Sequence, residues 1–412
     1  MTPAVLPAAL SNLPVAGRSA PSRRASANFR ITDRLSVPVY EQELWTHRQR
    51  QASPIHEISY RACFKPQLPA YFIERLTQEG DVVYDPFSGR GTTAIEAALR
   101  GRSVIANDVN PLSVILTRPR LELPSIAEID RRLRTLRFAA RPRSGLDLSM
   151  FFHPDTEHEI LGLREYLYKR RNAGTEDGAD RWIRMVATNR LTGHSPGFFS
   201  VYTLPPNQAV STGDQIRINA RLRQEPEYRD IRALIMKKSM QLQGRLSGSD
   251  RWRLRTAAAN ARLLEDFASA TPGITTGSVQ LTVTSPPFLD VVQYARDNWL
   301  RCWFNGLDAD AVGVRITMSR TVAEWAREIG AALGEIYRVT RPGGWVAFEV
   351  GEVRRGEVRL EETVVPLGMS AGFDCSAILI NSQRFTKTAN IWGVKNNSLG
   401  TNSNRIVLFR KP

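Results

Sequence analysis

The sequence predicts an α/β protein with a doubly wound, Rossmann-like sheet that a large basic insert interrupts. An apolar run near residue 85 enters a glycine-rich turn, and a helix pattern and a second strand with a terminal acidic residue follow. A second group of strand patterns begins near residue 279, beyond an arginine-rich segment. Strand, glycine turn, helix and strand in this order form half of a doubly wound sheet.

The first group of elements is predicted from local composition. Asp81–Asp85 is a short apolar run, which is typical of a buried parallel strand. Thr92–Leu99 consists of good helix formers, and Gly101 would end this helix. Ser103–Ala106 predicts the next strand, and Asp108 lies at its tip.

The second group supplies the rest of the sheet. Val279–Thr284 predicts a strand, and Glu324–Arg338 predicts an amphipathic helix because its large apolar residues recur every three or four positions. A proline-glycine turn then leads into the strand Trp345–Val350, and Arg405–Phe409 predicts the last strand. The apolar stripe of the helix consists of Trp325, Ile329, Leu333 and Ile336.

Length and composition predict a main domain with an insert. A chain of 412 residues is long for a single core. Residues 1–35 are predicted to be a disordered lead, because their first 30 mix Ala, Ser, Pro and Arg. We expect residues 36–120 and 260–412 to form the main domain and residues 121–259 to form the basic insert.

The charge of the chain indicates a polyanionic partner. The formal net charge is +15, and every neutralised phosphate releases condensed counterions. A generally basic proteome is the alternative explanation. No apolar stretch approaches the roughly 18 residues that a spanning helix needs, so no membrane is expected. Three scattered cysteines without a CxxC pair predict neither disulfides nor zinc and favour a reducing cytoplasm.

The glycine turn is suited to an anionic group. Backbone N–H groups and the positive end of the following helix would face that group. The turn has only Gly89 and Gly91, so it is not a GxGxxG pattern, and no Gly-Lys-Ser/Thr closes it as in a phosphate loop.

The segment Asp85–Thr93, with sequence DPFSGRGTT, resembles the DPFxGxGTT motif of the DNA amino-methyltransferases, the class that acts on cytosine N4 or adenine N6. The resemblance implies S-adenosylmethionine as cofactor and Asp108 as the residue that holds its ribose hydroxyls. It also implies that the main domain is the catalytic domain and that the insert recognises the target. The residues implied along the amino-acid end of the cofactor are Asp85, Phe87, Gly89, Gly91 and Thr92.

A second cofactor segment lies upstream. Phe64-Lys65-Pro66 is similar to the family's N-terminal cofactor segment, which implies that Phe64 and Lys65 also contact the cofactor. The alternative is an ordinary helix start with Pro66 in its first turn.

The tetrapeptide Ser285-Pro286-Pro287-Phe288 follows a predicted buried strand. Two prolines remove two backbone donors and leave a row of acceptors, which suits a reaction at an amino group that donates two hydrogen bonds. Phe288 would offer an aromatic face to a base taken out of the stack. The alternative is a proline-rich loop turn without a catalytic role.

The tetrapeptide resembles the (S/D/N)PP(Y/F/W) motif of the same family. Serine in its first place is usual for cytosine-N4 enzymes, so the resemblance implies methyl transfer to cytosine N4 in duplex DNA by base flipping. The alternatives are an adenine-N6 DNA enzyme, an RNA amino-methyltransferase and a binding module without activity. Methylation at cytosine C5 needs a cysteine thiolate after proline, and Cys63, Cys302 and Cys375 follow Ala, Arg and Asp.

The insert carries many basic residues that are candidates for contacts with DNA phosphates. An aromatic residue near the C-terminus is a candidate for the base pocket. Ordinary solvated arginines are the alternative for each position. The predicted nucleic-acid-binding residues are Arg217, Arg221, Arg223, Lys237, Lys238, Arg251, Arg253 and Trp392.

The resemblance implies further properties of the whole protein. We expect double-stranded DNA as the partner, with a cognate restriction endonuclease as a second partner outside any stable complex. We also expect no metal, a monomer or weak dimer, and a bacterial or phage-encoded protein located in the cytoplasm with the nucleoid.

Overall fold

A computed structural model describes residues 27–32, 35–42, 52–60, 63–138, 145–203, 209–287, 294–316, 319, 321–353, 358–382 and 403–412. A mixed sheet of nine strands forms its centre, in the order β1-β2-β10-β11-β7-β6-β3-β4-β5, and β8 pairs with β9 separately. The strands are β1 (Ala27–Thr32), β2 (Leu35–Gln42), β3 (Val82–Asp85), β4 (Ser103–Asn107), β5 (Arg262–Leu264), β6 (Val279–Thr284), β7 (Thr340–Val350), β8 (Glu352–Val353), β9 (Val358–Arg359), β10 (Asp374–Ser382) and β11 (Ser403–Arg410).

The described helices connect and cover these strands. They are α1 (Gln67–Leu76), α2 (Thr92–Leu99), α3 (Leu112–Glu122), α4 (Ile126–Thr135), α5 (Pro154–Asn172), α6 (Gly178–Arg190), α7 (Thr212–Leu222), α8 (Ile231–Gln243), α9 (Gly248–Asn260), α10 (Tyr294–Asn305), α11 (Ala309–Arg315), α12 (Val322–Val339) and α13 (Leu360–Ser370). A short 3-10 helix spans Pro54–His56.

The centre of the sheet is parallel. Strands β5, β4, β3, β6 and β7 all run in one direction, so their carboxyl ends meet at one edge. Strand β11 is antiparallel to β7 and to β10, and the hairpin of β1 and β2 extends the sheet beyond β10. The strand that carries the glycine turn, β3, is therefore the direct neighbour of the strand that carries the tetrapeptide, β6.

Both faces of the sheet are covered by helices. Val83 and Val283 face one hydrophobic cluster, which includes Phe72 of α1 and Ile95 of α2. Tyr84 faces the other cluster together with helices α12 and α13. Successive side chains of a strand point to opposite faces, so the nearly unbroken apolar strands supply both clusters. The predicted doubly wound α/β fold is confirmed.

Helices α3 to α9 lie between β4 and β5 in sequence. Helices α3, α4 and α8 pack against α6, and α9 returns to contact α2, α3 and β4. The first and last helices of this segment, α3 and α9, therefore contact the sheet, whereas α4, α6 and α8 pack against α3 or against one another. The function of this segment as a target-recognition region stays a prediction.

The structure corrects one boundary predicted from sequence. Residues 1–35 were expected to be a disordered lead, yet Ala27–Thr32 forms β1 and Leu35 begins β2. Phe29 and Ile31 alternate with polar neighbours and pack against the second hydrophobic cluster, which is the reason for the strand. Residues 1–26 lie outside the described part of the chain.

The remaining elements agree closely with the predictions. Val279–Thr284 is a fully buried strand, and α12 buries its apolar stripe of Trp325, Ile329, Leu333 and Ile336. Within the described ranges, no helix combines the length and apolar character needed to cross a bilayer.

Candidate active site

A cleft opens at the carboxyl ends of the parallel strands. Its free volume is about 880 Å³ when the part continuous with solvent is included. Five predicted site residues line it, namely Phe87, Gly89, Asp108, Ser285 and Pro287. Residues nearly 200 positions apart in sequence thus share one concave site.

The turn after β3 has the backbone geometry that requires glycine. Gly89 and Gly91 have φ angles of +52° and +75°. The turn is closed by hydrogen bonds from the Ser88 amide to the Asn107 carbonyl (2.9 Å) and from the Gly91 amide to the Ser88 carbonyl (2.7 Å). Helix α2 begins directly afterwards with no side-chain N-cap, so its first N–H groups are not occupied by a cap.

Asp108 lies beside this turn and anchors it. Its two carboxylate oxygens accept hydrogen bonds from the Gly89 amide (2.7 Å) and the Asn110 amide (2.9 Å). Burial raises the pKa of Asp108 to about 6, although both hydrogen bonds favour the charged form. Each oxygen keeps a lone pair for a further donor in the cleft.

Asp85 connects the glycine turn to the strand that precedes the tetrapeptide. The Thr284 hydroxyl donates to its carboxylate at 2.6 Å, and the Phe87 amide donates to the same oxygen at 3.1 Å. Asp85 is buried, and burial raises its pKa to about 7. Thr92 is also buried, and its hydroxyl accepts a hydrogen bond from the Arg90 side chain at 3.2 Å.

The Ser285 side chain contacts a buried acid. Its hydroxyl is hydrogen-bonded to Glu349 on β7, and the Asn404 side-chain amide of β11 donates to the same carboxyl at 2.8 Å. Burial raises the pKa of Glu349 against these two bonds. Phe288, the last residue of the predicted tetrapeptide, lies outside the described residues.

Tyr60, which lies just before the upstream cofactor segment, lines the cleft although the sequence did not predict it as a site residue. Phe64 and Lys65 are half-buried just before α1, and burial lowers the pKa of Lys65. Tyr60 lines the cleft instead, with its ring beside Gly89 and its hydroxyl accepting from the Asn110 side chain at 3.2 Å. An aromatic residue shortly before the family-like segment was the available signal.

A second missed group follows β5. Phe267, Ala268 and Ser269 line the cleft, and the Arg315 guanidinium lies 5.5 Å from the centre of the Phe267 ring. Phe267 is 51% exposed, which is high for so large an apolar side chain. Residues just beyond a parallel strand are natural candidates for a site at this edge, and that rule could have identified them.

The predicted basic residues divide into two groups. Arg217, Arg221 and Arg223 on or next to α7 are exposed, as is Lys237 of α8. Lys238 is instead buried beside Gln241 and Glu57.

Two further arginines are also turned inward. Arg251 donates to the Gln243 carbonyl at 2.8 Å, and Arg253 donates to the Leu99 carbonyl at 3.1 Å. Lys238 is buried, whereas Arg251 and Arg253 are half-buried and bond to carbonyls of the protein. Phosphate contacts at these three positions stay predictions, which the internal bonds do not favour. Trp392 lies outside the described residues.

The described residues offer no cluster of three or more His, Cys, Asp or Glu side chains that could hold a metal. Their three cysteines are weak nucleophiles. Burial raises the thiol pKa of Cys302 to about 11 and that of Cys375 to about 12, and it also raises the pKa of Cys63.

Residues 29–114 match the model of a protein family described as DNA methylase. This region contains the glycine turn and Asp108 and ends before most of the helical segment. The chain is 31% identical over 86 residues to the Type II methyltransferase M.MjaII of Methanocaldococcus jannaschii, covering 21% of this chain and 16% of that protein. It is 28% identical over 128 residues to the Type II methyltransferase M.MvaI of Kocuria varians, covering 30% and 25%.

Among solved structures, a SAM-dependent methyltransferase from Methanosarcina mazei aligns over 82% of this chain and 96% of its own, with 10% identity and a TM-score of 0.32. The sequence alignments with M.MjaII and M.MvaI cover a quarter or less of the length of each of these two relatives. Residues 29–114 are therefore the part of the chain whose similarity to DNA methylases is shown.

The glycine turn generates a prediction about stability. A Cβ on Gly91 would lie 2.7 Å from Cγ2 of buried Thr117, and the φ of +75° is unfavourable for alanine. Gly91→Ala should therefore lower the free energy of unfolding by about 2–5 kcal/mol, measured by urea denaturation. Gly80→Ala is the control, because Gly80 also has a positive φ but open space around it, and its cost should be about 1–2 kcal/mol. Equal losses in the two variants would contradict the proposed close packing.

Proposed function

We propose that this protein is a DNA methyltransferase that transfers a methyl group from S-adenosylmethionine to the exocyclic N4 of cytosine in duplex DNA. The observation that carries the proposal is that Phe87 and Gly89 of the glycine turn, Asp108, and Ser285 and Pro287 of the tetrapeptide line one cleft. The similarity of residues 29–114 to DNA methylases supports the coarser part of this proposal, methyl transfer to DNA.

The turn and Asp108 are suited to S-adenosylmethionine. Helix α2 starts at the glycine turn without a side-chain cap, so its first N–H groups would suit the cofactor carboxylate, and Asp108 has lone pairs available for two ribose hydroxyls. Phe87 and Phe267 supply apolar surface within the same cleft. The cofactor, when bound, supplies an electrophilic methyl group on a sulfonium centre.

The tetrapeptide would position the amino group. Glu349 accepts the Ser285 hydroxyl hydrogen in its charged form, so the lone pairs of Ser285 Oγ remain available to an N–H of the substrate. The Pro286 carbonyl is a second acceptor. Because neither proline has an N–H group, the turn has no donor of its own at these two positions to compete for it. Because burial makes Glu349 a stronger base than an exposed glutamate, the Ser285–Glu349 pair can also receive the proton that the amino group loses.

One feature favours cytosine N4 as the target, and a second opposes methylation at cytosine C5. Serine in the first place of the tetrapeptide favours cytosine over adenine in enzymes with this motif. The raised thiol pKa values of the described cysteines oppose attack on cytosine C6, which methylation at C5 would need. A base paired in a duplex cannot enter a concave site, so the proposal includes flipping of the target base.

We propose α7 as part of the DNA-binding surface. Among its residues only Gln215 is buried, and Arg217 and Arg221 are exposed, with Arg223 directly beyond. The segment before α7 is attached to α10, where the Ala209 amide donates to the Asp297 carbonyl at 3.2 Å and the Trp299 indole donates to the Val210 carbonyl at 3.1 Å. Helix α10 begins seven residues after Pro287, so DNA bound at α7 would be held near the tetrapeptide.

The activity is tested in a bacterial host without DNA methyltransferases. Expression of the wild-type chain should produce N4-methylcytosine, detected by mass spectrometry of nucleosides from host DNA. Ser285→Ala should reduce it by about 100-fold, because an acceptor for the amino group is lost. Ser278→Ala is the control, since its hydroxyl bonds only the nearby Thr275 carbonyl. Undiminished methylation in Ser285→Ala would contradict the catalytic role, and N6-methyladenine would contradict cytosine as the target.

The DNA surface is tested by two triple variants of equal charge change. Replacing Arg217, Arg221 and Arg223 by Gln should weaken duplex binding by roughly 10- to 100-fold and reduce the slope of log K against log salt by about 3. Fluorescence anisotropy at several salt concentrations measures both quantities.

The control triple replaces Arg251, Arg253 and Arg255, which donate to the carbonyls of Gln243, Leu99 and Leu123. It should change the salt slope by less than about 1. Equal slopes for the two triple variants would exclude α7 as the phosphate-binding element.

A further inference from the structure

The Pro287 carbonyl of the tetrapeptide accepts a hydrogen bond from a side chain of another element. The indole N–H of Trp325 donates to the Pro287 carbonyl at 2.8 Å. Trp325 belongs to α12, lines the same cleft as Ser285, and is only 1% exposed. No other contact to the Pro287 carbonyl is present among the described residues.

This contact has a particular role because of the two prolines. Neither Pro286 nor Pro287 has an N–H group, so neither residue can be fastened by its own amide. The turn must be held through its carbonyls or through residues that flank it. The Ser285 hydroxyl is bonded on one side and the Pro287 carbonyl on the other.

Trp325 is itself rigidly placed. A capping box at the start of α12 pairs Thr321 with Glu324, and the Trp325 amide donates to the Thr321 carbonyl at 3.1 Å. The indole ring is packed in the hydrophobic cluster that includes Ile329 and Phe348. A hydrogen-bond donor in a packed ring cannot follow the turn if the turn moves, so the ring determines where the carbonyl lies.

We propose that Trp325 is a positioning residue for methyl transfer. Its indole withdraws the Pro287 carbonyl from the substrate and orients the turn, so that the Ser285 hydroxyl and the Pro286 carbonyl are the acceptors for the two amino N–H groups. This inference rests on the proposed function and deepens it. Helix α12, through Trp325, would then help to determine which two oxygens of the tetrapeptide accept the amino N–H groups.

The test compares two buried tryptophans that each donate one hydrogen bond. Trp325→Phe removes the bond to Pro287, whereas Trp182→Phe removes a 2.9 Å bond to the Ser239 hydroxyl between α6 and α8. The kcat and the KM values for DNA and S-adenosylmethionine are measured with a radiolabelled methyl group. Trp325→Phe should lower kcat by roughly tenfold or more with the cofactor KM within about twofold, because the lost contact aligns reacting groups. Trp182→Phe should keep kcat within about twofold.

A second variant covers the case in which Trp325→Phe does not fold. A tryptophan analogue in which sulfur replaces the indole N–H has nearly the same shape, so it retains the packing when it is incorporated at position 325. The same loss of kcat is expected for it. Wild-type kcat in this analogue, or an equal decrease in Trp182→Phe, would overturn the role of Trp325. Absence of methyl transfer by the wild-type chain would instead contradict the proposed function itself.

Discussion

The hydrogen bond between the Thr284 hydroxyl and the Asp85 carboxylate holds the two halves of the site together. It joins the carboxyl ends of β6 and β3 at 2.6 Å, across 199 residues of sequence. The same oxygen accepts from the Phe87 amide, so one carboxylate orients both the glycine turn and the strand before Ser285. Burial opposes its ionisation and raises its pKa to about 7, and these bonds offset part of that cost.

Buried arginines support the same site from outside the cleft. Arg120 is fully buried and donates to the carbonyls of Ile55 and Arg90, while Arg90 donates to the Ile58 carbonyl at 2.8 Å. These bonds fasten the segment before Tyr60 to the glycine turn. Burial lowers the pKa of Arg120 to about 9, so its placement has an electrostatic cost that the carbonyl contacts reduce. The net charge of +15 consequently overstates the charge available at the surface.

Local patterns predicted the elements of the fold well. The β3 turn, α2, β4, β6 and α12 were each predicted within a few residues, because apolar periodicity and glycine placement depend on neighbouring residues. The glycine turn and Ser285 could be selected from their local motifs for the same reason.

Features that depend on tertiary contact could not be predicted in this way. Glu349 and Trp325 enter the site through sheet order and helix packing, and no local pattern marks them as site residues. The inward orientation of Arg251 and Arg253 likewise follows from the carbonyls near them in the fold. Strand β1 was missed because the alternation of Phe29 and Ile31 is too short to outweigh a polar composition.

The most direct test of the account is a double-mutant cycle on the bond between Thr284 and Asp85. The free energy of unfolding would be measured at pH 8 for the wild type, Thr284→Val, Asp85→Ala and the double variant. Asp85 is predominantly charged at this pH, given its pKa of about 7. A coupling free energy of about 1–3 kcal/mol is expected, as for a hydrogen bond to a charged group. Additive losses, within about 0.5 kcal/mol, would contradict the claim that this contact holds the two halves together.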